Sequence, residues 1–329
     1  LANTFGRRKL LIVGWMFAIP VPFVLIYADS WSMIVACNAL LGINQGLAWS
    51  STVVMKIDLV GPKNRGFAMG INESAGYLSV GLIALLTGFI GEQFGLRPYP
   101  FYIGIVLSLL GLLTSIFFIK DTVHHANAEQ ETSAIPKLKN VFLETSLTNQ
   151  NLGSISFAGL VNNLNDGMIW GLLPVILLQA DFSLKDISFL VAIYPTIWGL
   201  SQLITGKLAD RYAKKQLLWM GMLAQGAVIL GLNQADTFNQ FAAISIILGL
   251  GTAVVYPTFL AAIADFTNPS QRAESIGVFR LWRDLGYAFG AILTGLVADT
   301  FGLSASVWII GLLTISSAGV IGFRMQSGK

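Results

Sequence analysis

The sequence predicts an all-α membrane protein with ten spanning helices in two related sets. Three observations carry this. The chain is 54% hydrophobic and only 11% charged, where a soluble domain holds about 25% charged residues. Apolar stretches of ~20 residues, the length that crosses a bilayer, recur along nearly the whole chain. Polar loops near residues 1, 58 and 86 return, in register, near 208, 265 and 293.

Taken in order, the spans fall near 10–28, 32–56, 66–91 and 100–119. A polar stretch over 120–149 comes next, and then 152–179, 187–206, 215–233, 239–263, 273–298 and 303–323. Placing the loops alternately on two sides tests this order. The ends 1–9 and 324–329 and the loops 56–65, 120–148, 207–216 and 264–272 hold sixteen of the twenty Lys and Arg. The opposite loops hold only Arg97 and Lys185. The basic side is expected to be cytoplasmic, with both ends of the chain on it, in a cell membrane. Net charge +3 is therefore a topology signal and calls for no nucleic acid. The single Cys37 excludes an intrachain disulfide framework.

The repeat is specific. Asp58, Pro62, Arg65 and Gly70 of DLVGPKNRGFAMG return 207 residues later as Asp265, Pro269, Arg272 and Gly277 of DFTNPSQRAESIG. The same shift aligns LTGFIGEQFGL (86–96) with LTGLVADTFGL (293–303), and LANTFGRRKLL at the start with LADRYAKKQLL (208–218). Chance likeness between apolar helices does not hold one register through three polar loops. Both copies enter the membrane from the same side, so the halves are parallel repeats. Two spans precede the motif at 208 and none precedes its partner at residue 1, so two further helices are expected upstream, six plus six in all.

GKLADRYAKK (206–215), between the second and third helices of its half, resembles the signature loop of the major facilitator superfamily, roughly G-x-x-x-D-R/K-x-G-R-R/K. The resemblance implies two pseudo-symmetric six-helix bundles around a central cavity, working by alternating access. It implies an N-terminal bundle remnant over 1–119 (third to sixth helices), a cytoplasmic linker over 120–149 and a C-terminal bundle over 150–329. It also implies no enzyme and no cofactor; no H-E-x-x-H, G-x-S-x-G or Cys–His site occurs. His124 and His125 in the linker are expected in a solvated loop, because no further ligands accompany them. Asn3 stands where the second copy has Asp210, and Gly6 pairs with Ala213. Asn38 stands where many proton-coupled members carry Arg. The Gly-Pro pair typical of antiporters is absent from GYLSVGLIALLTG (76–88).

Polar groups sharing one face of a membrane helix point at protein or water. Arg280, Arg283, Asp284 and Tyr287 form such a stripe, roughly 12–20 Å deep from the basic end. Arg283 is expected to bind solute while Arg280 and Asp284 hold each other. Asn162, Asn165 and Asp166 form a second stripe; Tyr194, Trp198, Ser201, Gln202 and Thr205 a third; Asn38, Gln45, Trp49 and Thr52 a fourth. Glu73 is the repeat partner of Arg280 and a candidate to pair with it. Asp166 is the expected proton carrier where transport is proton-coupled, because a poorly hydrated site disfavours its charged form and Asn162, Asn163 and Asn165 surround it with amides. Asp210 is the expected gate residue, in a loop where a carboxylate can meet the positive end of a neighbouring helix; the resemblance implies that this neighbour is the helix beginning near Arg65. Arg211, Arg65 and Arg272 complete the gating set, with a salt bridge from Asp210 to Arg211 or Lys214 as the plain alternative.

These residues point to a secondary-active transporter of a small polar or anionic organic solute, since guanidinium grips carboxylate or phosphate with two parallel bonds. The expected partners are that solute, protons in a coupled cycle, and the lipid bilayer, with the chain a monomer. The alternative within the class is a proton-coupled exporter of drugs or toxins, which the aromatic stripes would suit. A non-transporting sensor or scaffold is the reading from another class.

Overall fold

The computed structural model describes residues 5–132 and 134–326. Asn3, the expected weaker gate, lies outside them. Among the described residues there is no strand, and ten helical runs stand where ten spans are expected. They are α1 (Arg7–Ala18) with α2 (Pro20–Ile26), α3 (Trp31–Asn44) with α4 (Ser50–Val60), α5 (Arg65–Phe94) and α6 (Tyr99–Phe117). After the linker helices α7 (Val123–Thr132) and α8 (Val141–Leu143) come α9 (Gln150–Gln179), α10 (Leu184–Arg211), α11 (Lys214–Gly231), α12 (Phe238–Phe266), α13 (Arg272–Phe301) and α14 (Leu303–Arg324). Six of these runs are at once long and apolar enough to cross a bilayer.

Helix ends obey local chemistry. Asn149 caps α9 by accepting from the Asn151 and Leu152 amides, Ser183 caps α10, and Thr237 with Gln240 forms a capping box at α12. At the opposite end, Gly95 closes α5 with φ 97° and its repeat partner Gly302 closes α13 with φ 89°. A left-handed residue at a helix C-terminus favours glycine, so the 207-residue register extends to backbone conformation. Pro174, Pro195 and Pro257 lie inside α9, α10 and α12.

Two sequence expectations change here. His124 and His125 sit in α7 rather than in a loop; VHHANAEQET lacks Gly and Pro and so can hold a short helix. The stripe through Asn38, Gln45, Trp49 and Thr52 does not keep α-helical register, because Gln45–Trp49 is a π-turn between α3 and α4. The wider turn inserts one residue per cycle and rotates α4 relative to α3.

The chain forms two compact units, Leu1–Gly61 with Leu78–Ala134, and Pro62–Tyr77 with Ile135–Lys329. The first turns of α5 thus belong to the second unit. In that unit α9 packs most extensively on α13, and α10 on α12. The core runs along α12, whose Ala253–Ala264 stretch is almost wholly buried.

Candidate functional site: a buried polar and aromatic cluster

In the second unit, α9 brings Asn162, Asn165 and Asp166 to its buried face, one turn apart. The amides do not serve the carboxylate, as the sequence suggested. Asn162 Nδ2 donates to Gln225 Oε1 of α11 at 2.9 Å and Asn165 Nδ2 to the same oxygen at 3.4 Å. Asn165 Oδ1 accepts from Thr314 of α14 at 2.7 Å. The reason is that Gln225 sets a buried carbonyl oxygen against this face, and both amides donate to it. Asp166 instead accepts a hydrogen bond from Tyr194 Oη of α10. Tyr194 Oη lies 3.2 Å from Thr252 Oγ1 of α12, which donates to Gln225 Oε1 at 3.2 Å. Gly251 lies against the stem of Gln225, so α11 and α12 approach closely there. Five helices thus meet in one polar network.

Beside it lies an aromatic cluster. Tyr77 of α5 packs on Trp198 with ring centroids 4.1 Å apart, Trp198 stacks on Tyr194 at 5.8 Å, and Tyr256 meets Trp198 edge-on at 6.4 Å. Arg283 of α13 places its guanidinium 3.9 Å from the Tyr256 ring centroid, a cation over an aromatic face. It is 7% exposed. Among the described residues its Nε has no hydrogen-bond partner, and neither do Trp198 Nε1 or either amide atom of Gln202, which is fully buried. Buried polar atoms are ordinarily satisfied, so these open donors and acceptors single out Arg283, Trp198 and Gln202 as candidates.

The charged stripe on α13 divides. Arg280 Nη2 pairs with Asp284 Oδ2 at 3.3 Å, and Arg283 Nη1 stands 3.8 Å from Asp284 Oδ1, the Asp284 side chain being 53% exposed. Glu73, buried on α5, accepts from Asn72 Nδ2 at 2.7 Å. Tyr256 lies within electrostatic reach of Glu73, Arg280, Arg283 and Asp284, and Asp166 within that of Arg283.

At the basic-loop end, Asp210 spends both oxygens on the start of α5. Oδ1 accepts from the Gly66 amide at 2.7 Å and Oδ2 from the Phe67 amide at 2.8 Å. Lys214 pairs with Asp265 at 2.7 Å rather than with Asp210, and Arg65 meets the same Asp265 at 3.0 Å. Arg211 is exposed at the end of α10, and Arg272 heads α13 fully buried. A Cβ on Gly206 would fall 2.6 Å from Gly66 O and 2.9 Å from Gly70 Cα, so α5 and α10 touch backbone to backbone. The first unit repeats the pairing of Lys214 with Asp265: Arg7 Nε lies 3.1 Å from Asp58 Oδ2, both residues being buried. Gln45 is exposed at the head of the π-turn, and Asn38 Nδ2 donates to Ile34 O.

The family profile described as Major Facilitator Superfamily matches residues 1–151 and 155–326. The chain belongs to the Major Facilitator Superfamily. It is therefore a multi-pass membrane protein of a family of secondary transporters. An MFS-type transporter of Methanocaldococcus jannaschii is 25% identical over 250 residues, covering 75% of this chain and 64% of that protein. The multidrug resistance protein MdtG of Proteus mirabilis is 23% identical, covering 91% and 74%. The proton-coupled antiporter flippase LtaA of Staphylococcus epidermidis is 24% identical, covering 94% and 77%. The chain thus spans about two thirds to three quarters of these relatives' lengths. Among solved structures, the human organic anion transporter MFSD10 superposes with TM-score 0.78 at 17% identity over 97% of this chain and 78% of that one. The proton:xylose symporter XylE does so with 0.78 at 14% over 100% and 82%. At these identities the likeness shows the superfamily fold.

Sequence reading missed Gln225, Thr252, Thr314, Tyr77 and Tyr256. The one available signal was Gln225 itself, a polar residue in the otherwise apolar MGMLAQGAVIL, where an unpaired amide is costly.

Proposed function

We propose that this chain carries a small anionic organic solute across a cytoplasmic membrane by alternating access, with the basic loops and both chain ends in the cytoplasm. Residues 1–119 and 150–329 act as the two bundles, joined by 120–149. The observation that most supports the anionic solute is Arg283. Its guanidinium is buried on Tyr256, the ring that also meets Trp198, and among the described residues its Nε–H has no hydrogen-bond partner. Such donors suit a carboxylate or phosphate, while Tyr77, Trp198 and Tyr256 suit an apolar or planar body.

Asp166 is the proposed proton carrier. Among the described residues it has one hydrogen-bond donor, Tyr194, and no ion-pair partner within 4.0 Å, so its charge is poorly compensated. Export of hydrophobic compounds is the second reading. The aromatic cluster and the multidrug resistance protein among the relatives favour it.

The deciding experiment is uptake by proteoliposomes of a panel of small organic acids and of cationic dyes. Arg283→Lys keeps charge but loses the two-pronged donor, so a folded Arg283→Lys protein is expected to bind an acid substrate roughly tenfold or more weakly. Wild-type affinity for the acid in Arg283→Lys, or dye transport alone, would overturn the anionic reading.

A further inference from the structure

We infer that Thr252 and Gln225 are positioning residues for the proton step, passing the protonation state of Asp166 to α11 along a hydrogen-bond chain. This rests on the reading of Asp166 as proton carrier. The argument is a count of hydrogens. Between the Asp166 carboxyl and Gln225 Oε1 lie three gaps, Asp166 to Tyr194, Tyr194 to Thr252 and Thr252 to Gln225. Each hydroxyl has one hydrogen to give. With Asp166 ionised, two hydrogens serve three gaps. Tyr194 turns its hydrogen to the charge, and Thr252 fills one of the two that remain.

With Asp166 protonated, three hydrogens serve three gaps. The carboxyl donates to Tyr194, Tyr194 to Thr252 and Thr252 to Gln225. The O–H groups only reorient, and the proton stays on Asp166. Aligned chains of this kind strengthen each member.

Gln225 is the fixed end. Its Oε1 also accepts from Asn162 and Asn165, and Asn165 is held by Thr314, so that oxygen cannot turn away without stranding buried amides. Its Nε2 faces Met222 Sδ at 3.8 Å. Proton binding therefore closes a continuous link from α9 through α10 and α12 to α11, and proton release leaves it one bond short. The charged and titratable groups that face Asp166 are Arg283 and Tyr287 of α13, Tyr194 of α10 and Tyr77 of α5. Thr252 of α12, Gln225 of α11 and Thr314 of α14 bring hydrogen bonds without charge.

The test needs no transport substrate. Infrared difference spectra of the purified full chain, taken across a pH titration, contain the C=O band of the protonated Asp166 carboxyl, identified by its loss in Asp166→Asn. Thr252→Val is expected to move the midpoint of that band by about one pH unit, the worth of one hydrogen bond, and to raise its frequency. Thr252→Ser, which restores the hydroxyl, is expected to return both. Thr258→Val, on the same helix but with its hydroxyl bonded to Val254 O of that helix, should leave the midpoint unmoved. A Thr252→Val midpoint and frequency equal to wild type would overturn the relay and leave the proton site standing. Absence of any titrating band that Asp166→Asn removes would overturn the proton site, and the relay with it.

Discussion

Buried polar residues in a membrane protein are chiefly informative through the partners they find. Among the described residues Asp166 has Tyr194 as its one donor, so replacing it by Asn keeps the size of the site and removes the exchangeable charge. In proteoliposomes, Asp166→Asn is expected to abolish accumulation driven by a pH gradient and to leave downhill exchange. Accumulation that survives with unchanged pH dependence would exclude Asp166 as the coupling residue. At this scale the sequence was half legible. Spacing alone put Arg280, Arg283 and Asp284 on one stripe and Asn162, Asn165 and Asp166 on another, because helical periodicity is a local property. Which neighbour each stripe meets depends on residues up to 149 positions away, as with Asn165 and Thr314. The turn of Asn162 and Asn165 toward Gln225 was therefore beyond periodicity to foresee.

Among the elements, α5 is held at its start by three kinds of contact. Asp210 caps it, Arg65 reaches Asp265, and Lys207 lies 4.8 Å over the Phe67 ring. A carboxylate that accepts two amides at a helix N-terminus gains from both hydrogen bonds and dipole, about 1–2 kcal/mol beyond what an amide supplies. Asp210→Asn is expected to weaken this attachment by that amount. A Cys37→Ser protein carrying Thr205→Cys, buried next to Gly206 at the contact with Gly66, reports it. Its labelling by a thiol reagent should quicken roughly five- to thirty-fold in Asp210→Asn, and an unchanged rate would show that Asp210 does not hold the end of α5 closed. The contact of an acidic loop residue with the start of α5 was readable from the signature loop. The sharing of Asp265 between Arg65 and Lys214 was not, since three charges that meet in space lie in three separate loops.

For the whole molecule, the parallel repeat was the most legible feature, because a fixed shift survives any divergence of the apolar helices between its loops. It returns in the ion pairs Arg7–Asp58 and Lys214–Asp265 and in the closing glycines Gly95 and Gly302. The same alternation of loops makes a prediction about sidedness. In intact cells of a Cys37→Ser background, a membrane-impermeant thiol reagent is expected to label Asp236→Cys and to spare Lys63→Cys, both exposed positions, until the membrane is opened. Labelling in the reverse pattern would invert the topology. Where charges crowd one side of every second loop, orientation is decided before any tertiary contact forms.

The contact between Gly206 and the Gly66–Gly70 turn has a thermal and ionic signature of its own. Glycines bring no oily side chain, so parting the two backbones there wets chiefly peptide groups and a few charges. Wetting peptide and charge hardly raises the heat capacity, in contrast with wetting hydrocarbon. Opening at this point should therefore trace a nearly straight van't Hoff line, and added salt should favour it by screening Arg65, Lys214 and Asp265. Salt is therefore expected to shift the balance at this contact, and temperature to do so without curvature.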